Sequence, residues 1–152
     1  MTPVHERVVV TGEVHLTVVR GDPTPEDLDS VLAGDTDLGG RVVTQDIYSN
    51  LVTNTGRAGI ATIMATGTTR PLFIGVGNTA ITPSATSTAL AGELDRNSIT
   101  TSVQFQTYYS RLAATFSAAE FNDTVRGISL NVSSSGGDIW ALVSASVLKD
   151  AN

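Results

Sequence analysis

"NLVTNTGRAGIATIMATG", residues 50–67, decides the fold, together with "RPLFIGVGN", residues 70–78, which follows it. Ile60, Ile63 and Met64 are joined by the small Ala58 and Ala61. Spacings of three and four put these on one helix face. Asn54 or Thr55 is placed to cap the start, and Gly67 to supply a left-handed stop. Each internal glycine, Gly56 and Gly59, costs an isolated helix roughly 0.5–1 kcal/mol relative to alanine. The helix, over residues 55–66, is therefore expected to be held by packing on a sheet, with the glycines allowing close approach. Its residues suit capping and contact, and none of them is a catalytic group.

Outward from this helix the chain reads as β-structure. In residues 6–20, Val8, Val10, Val14, Leu16 and Val18 share one parity, while Arg7, Glu13, His15 and Thr17 share the other. Period two over this length predicts a strand with one buried face, and Gly12 marks a bulge in it. Residues 41–48 resume a strand. Leu72–Val76 is a continuous apolar run, which predicts a strand covered on both sides, and Gly75 and Gly77 permit close backbone packing. A Thr/Ser/Ala/Pro loop fills 78–88, and "LAGELDR" reads as a single turn. Residues 98–106 and 108–116 read as two strands of a hairpin or as one long bent strand. "SAAE" at 117–120 has capping-box form and predicts a helical turn. Residues 124–132 and 138–148 are the closing strands, and Trp140 reads as core.

Between the first two strands, residues 22–40 hold six acids and no base. Within them "TPEDLDSVLAG" predicts a short helix, with Thr24 as N-cap, Pro25 at N1, Asp27 at N3 and Gly34 beyond the end. The rest is a solvated excursion. The expected fold is mainly β: a single-domain antiparallel sandwich of about seven or eight strands, with the 55–66 helix on its flank or end.

Composition narrows the function. The chain has 152 residues, a net charge of −6, one lysine against eight arginines, and no cysteine. An acidic chain is a poor match for phosphate backbones, whose binding rests on clustered Lys and Arg, so nucleic acid is not an expected partner. No apolar run approaches the roughly 20 residues of a membrane helix, and the N-terminus lacks a secretory pattern. Disulfides and thiolate metal sites are excluded.

The candidate chemistry is thin. His15 falls on the polar side of the first strand, and no nucleophile elbow accompanies it. Asp35, Asp37 and Asp46 imitate three positions of a calcium loop, but Gly39 stands where an oxygen ligand belongs and flanking helices are missing. Glu93 and Arg96 read as a local ion pair closing a turn. "GVGN" lacks the spacing and the lysine of a phosphate loop. The expectation is a protein with no catalytic residue, cofactor or metal. A carbohydrate-binding sandwich, the alternative of another class, would need aromatics gathered on an exposed face. Only Trp140 and three tyrosines are available for that.

The order of motifs resembles small virion proteins of tailed viruses, including tail-fibre and tail-collar amino-terminal domains. Their pattern runs N-L-V-T-N-x-G-x-x-x-I-A, a strand ending G-x-G, a Pro/Thr-rich loop, L-x-x-E-x-x-R and a late A-x-F-x-x-x-E. The matching residues are Asn50, Thr53, Asn54, Gly56, Ile60, Gly75, Gly77, Leu90, Glu93, Arg96, Phe116 and Glu120. Where the family has R-E-x-G-L, this chain has Arg126-Gly127-Ile128-Ser129-Leu130. The resemblance spans most of the chain and implies a non-enzymatic component of the virion exterior. The short chain favours a capsid decoration or turret protein over a tail or baseplate fibre-anchoring adaptor. It implies other virion proteins as partners and a homo-oligomer, with a trimer favoured. Apolar residues such as Val9 and Val19 are expected to be buried between subunits.

Overall fold

The computed structural model describes residues 12–67, 70–105, 109–117, 119–136 and 139–149. Among them are nine strands and two helices, all strand pairs being antiparallel. The mainly β antiparallel fold read from the sequence is the fold observed.

Five strands form the central sheet: β3 (Leu51–Val52), β4 (Phe73–Gly77), β5 (Glu93–Ser98), β8 (Asp123–Asn131) and β9 (Ile139–Lys149). Their order is β3-β9-β8-β4-β5. A two-stranded ribbon of β1 (Glu13–Val19) and β2 (Val42–Ser49) lies over one face. Val14 and Leu16 of β1 and Tyr48 of β2 pack on Val76, Ile128, Val143 and Ala145 of the sheet, with Leu94, Phe116 and Phe121 closing the same cluster. This is the two-layered core. The other face carries a smaller cluster in which Ile81 and Leu90, from the loop after β4, cover Ile139 and Leu142. A second hairpin, β6 (Thr101–Phe105) with β7 (Tyr109–Ala113), stands apart from both.

Several readings need correction. The first strand begins at Glu13, and its expected extension through Val8 and Val10 falls outside the described residues. Gly12 is no bulge. It precedes the strand and lies against Asn50, whose amide nitrogen donates to the Gly12 carbonyl. The run 42–52 is broken at Asn50 into two strands, each pairing with a different neighbour, which raises the strand count above seven or eight. "ELDR" is strand, not turn, because it pairs along β4. Ser117 and Glu120 bond reciprocally, the Ser117 carbonyl accepting from the Glu120 amide and the Glu120 carboxylate from the Ser117 amide, and no helix follows among the described residues.

The helix α2 (Asn54–Thr66) shows why its glycines are there. A Cβ on Gly56 would lie 2.1 Å from the Trp140 carbonyl oxygen, and one on Gly59 would lie 2.0 Å from the Trp140 ring. The helix thus sits directly on β9, with the indole filling the glycine notch. Its N-cap is Thr53, not Asn54 or Thr55. The Thr53 hydroxyl oxygen accepts from the Gly56 amide at 3.0 Å, and its hydroxyl donates to the Ile139 carbonyl of β9. Thr53 is completely buried, whereas Asn54 is exposed. Gly67 closes the helix in the left-handed region at φ 72, as expected. Ile60 and Ile63 are half-buried.

The acidic excursion contains α1 (Pro25–Leu32) with the anticipated cap, since Thr24 and Asp27 bond reciprocally. It is not a free loop. Arg41, at the foot of β2, holds Asp27 through both carboxylate oxygens at 2.8 and 2.9 Å.

Candidate interaction surface

The surface most unlike an ordinary exterior lies where β2 leaves β9. β3 pairs with β9 at Ala141 and Leu142, and β2, continuous with β3 through Asn50, then turns away to pair with β1. From Val143 to Lys149, β9 consequently has β8 on one side and no strand on the other among the described residues. An open edge presents unpaired N–H and C=O groups, and proteins ordinarily guard such edges. Among the described residues the Ser146 amide reaches only the Tyr48 hydroxyl, at 3.4 Å. That is beyond the range of a good N–H···O bond.

Beside this edge runs an open groove of ≈ 410 Å³. Val18, Val19 and Val43 line it from the ribbon, and Ser146, Val147 and Leu148 from β9. Asp46 and Arg20 bring opposite charges to its wall. The alternation of β2 explains its character. Thr44 and Asp46 point inward, where the Thr44 hydroxyl donates to the Asp46 carboxylate at 3.0 Å. Val43 and Ile47 point out, 56% and 59% exposed. Val42 and Tyr48 share the inward parity, so both faces of β2 carry apolar residues, where a half-buried strand usually keeps them to one. Leu148 on β9 is likewise 59% exposed. Single exposed apolar residues need no explanation, but Val43 and Leu148 line one groove, and such patches mark contact sites.

The residues singled out from sequence serve architecture. Asn50 marks the break between β2 and β3, and its side chain stands against Gly12. Gly75 is buried, and a Cβ there would lie 2.7 Å from the Ser129 hydroxyl. Gly77 is buried next to the Ala91 carbonyl. Trp140 is buried beneath α2, so it is not a surface ring on which a sugar could stack.

Glu93 and Arg96 are an ion pair, as read, with bonds of 2.6 and 2.7 Å, but they lie on a strand. Residues three apart on a regular strand face opposite ways. A register shift at Gly77 places Glu93 opposite Gly77 and Arg96 opposite Gly75, returning both to one face. Arg96 is only 5% exposed at its side chain, and its guanidinium also donates to the carbonyls of Ser133 and Gly136. It thereby ties the edge strand to the turn between β8 and β9, a role that the spacing alone did not reveal.

His15 is exposed, and its imidazole lies 3.4 Å from Glu13. Asp35 accepts from the backbone of Asp37 and Leu38, while Asp46 is in the ribbon with Thr44, so the calcium-like triplet is not assembled. Among the described residues no three acidic or histidine side chains gather as a metal site. No protein family, curated protein or solved structure matches this chain.

Proposed function

We propose that this chain is a non-enzymatic structural component of the exterior of a tailed virus particle, a capsid decoration or turret unit that works through its contact surfaces. The observation that carries the reading is the outward face of β2. It turns Val43 and Ile47 to solvent, and Val43 shares a groove with Leu148 along a sheet edge that is open among the described residues. A protein whose surface is meant to be covered in an assembly has reason to be built this way. The ordered motifs described above, from Asn50 to Glu120, supply the virion context. In this reading the chain forms a homo-oligomer, a trimer being favoured, against other virion proteins.

Immunogold labelling of particles from the source virus tests it. Antibody raised against the purified chain is expected to decorate the capsid. Label confined to the tail would favour the adaptor reading, which uses the same surfaces. Unlabelled particles, with all of the protein left in the soluble fraction, would overturn the virion assignment.

A further inference from the structure

We infer that α1 is a strut between the β1–β2 ribbon and the β6–β7 hairpin, and that the helix and the hairpin hold their places as one unit. Releasing either end of the strut frees both while the central sheet stays closed. The inference goes beyond the contact-surface reading and does not depend on it. Both elements are marginal alone. α1 has eight residues, none of them buried, and an isolated helix shorter than roughly 12–15 residues is marginal in water. β6 and β7 pair only with each other among the described residues. A two-stranded hairpin with neither a third strand nor a helix against it is marginally stable at best.

Each end of α1 is held by an arginine from a different sheet. At the N-terminal end the Arg41 guanidinium donates to both carboxylate oxygens of Asp27 and to the carbonyls of Arg20 and Asp22. At the C-terminal end Arg111 of β7 donates to the Leu32 carbonyl. The last carbonyls of a helix have no partner within it, and that end carries partial negative charge. The last turn of α1 holds no basic residue of its own. Arg111 therefore supplies, from another element, the cationic donor that the helix lacks.

The position of Arg111 gives this bond leverage. The hairpin is already tied at its foot, where the Asn97 side chain donates to the Thr115 carbonyl at 2.7 Å and the Ile99 amide to the Leu72 carbonyl at 2.8 Å. Arg111 lies opposite Val103, midway along the paired strands, so its bond fixes the direction of the hairpin as well as its base. Pro25 and Leu28 of α1 face Thr100, Thr101 and Thr115 across an open gap of ≈ 170 Å³. Helix and hairpin are thus joined by polar ties across a gap and not through a packed core. Regions with few buried apolar contacts open locally, below the cost of global unfolding.

Hydrogen exchange on the full chain, read by mass spectrometry of peptic fragments, tests the inference. Arg111→Met is expected to speed exchange of the β6–β7 and α1 amides roughly tenfold or more, the scale of one lost charge-assisted hydrogen bond. β8 and β9 should stay as protected as in the parent. Arg111→Lys keeps a cationic donor and is expected to recover most of the protection. The decisive variant is Arg41→Met. Among the described residues Arg41 bonds Asp27, Arg20 and Asp22 and not the hairpin. Exchange in the hairpin should nevertheless rise by a similar factor, and combining the two substitutions should add little. Hairpin exchange unchanged in Arg41→Met, or effects that multiply in the double variant, would mean that helix and hairpin are held independently, and overturns the inference. Loss of protection in β8 and β9 alongside the hairpin overturns it as well, because the strut would then belong to the global fold.

Discussion

Two ends of β9 meet the chain in opposite ways. At Ile139 and Trp140, everything is filled. Thr53 bonds two carbonyls, two glycines bring α2 into contact with the indole, and β3 completes the ladder. At Ser144 to Leu148 the same strand has, among the described residues, an open edge, a groove beside it and one long bond to Tyr48. The difference teaches where the stability of the fold resides and where it does not. The first end holds the monomer together through close approach. The second leaves apolar surface and backbone polarity open among the described residues.

The contrast is easiest to break at the closed end. Trp140→Ala is expected to cost about 3–5 kcal/mol, the usual range for emptying a buried aromatic site. Gly59→Ala, although favourable to an isolated helix, is expected to cost about 3 kcal/mol because its Cβ would meet the ring at 2.0 Å. A double-mutant cycle by urea denaturation sharpens the point. Gly59→Ala should lose most of its penalty once the indole is gone. Equal penalties in both backgrounds would mean that the ring is not what the glycine accommodates.

Next in size is the tie across the sheet. Arg96→Met removes a guanidinium that serves Glu93, Ser133 and Gly136 together. Charged hydrogen bonds are worth about 1.5–3 kcal/mol each when a partner is left unpaired. Because Glu93 is 30% exposed and water can reach it, a total near 3 kcal/mol is expected, not the sum. Chemical denaturation measures it, and a loss below about 1 kcal/mol would demote the tie to an incidental contact.

How much of this could be read beforehand follows from where each feature is encoded. The helix and its glycine notch were legible because close approach is written in residue size. The N-cap was misplaced because Thr53, Asn54 and Thr55 all qualify chemically. The choice is made by β9, whose Ile139 carbonyl receives the Thr53 hydroxyl. β5 was hidden by its register shift, which breaks period two and gives Glu93 and Arg96 a helix-like spacing. The groove could not be read at all. It exists only because β2 and β3, continuous in sequence, pair with different strands, and strand order is a property of the whole fold.

The docking of the acidic excursion is sensitive to acid. The Asp27 carboxyl is held below its ordinary value, chiefly by the Thr24 backbone N–H and also by Arg41. A lowered folded value means that the contribution is present above the unfolded carboxylate range and is lost as pH falls through the folded value. Asp27→Asn should therefore lower the melting temperature at neutral pH, with the gap from the parent closing as the solution is acidified below the carboxylate range. A gap that persists in acid would show that the aspartate acts through shape alone.

The smallest effect on stability is expected at the open end, and there the comparison becomes decisive. Ile47→Thr and Val43→Thr replace side chains that are already more than half exposed. Surface changes of this kind usually fall within about 0.5 kcal/mol, and threonine suits a strand. Thermal melts at low protein concentration should accordingly overlay those of the parent. If the proposed association uses this face, they should separate at high concentration, because an oligomer gains stability by mass action and the variants would lose that increment. If Val43 and Ile47 were instead ordinary exposed residues, the melts would overlay at every concentration, and the two ends of β9 would differ in packing but not in purpose.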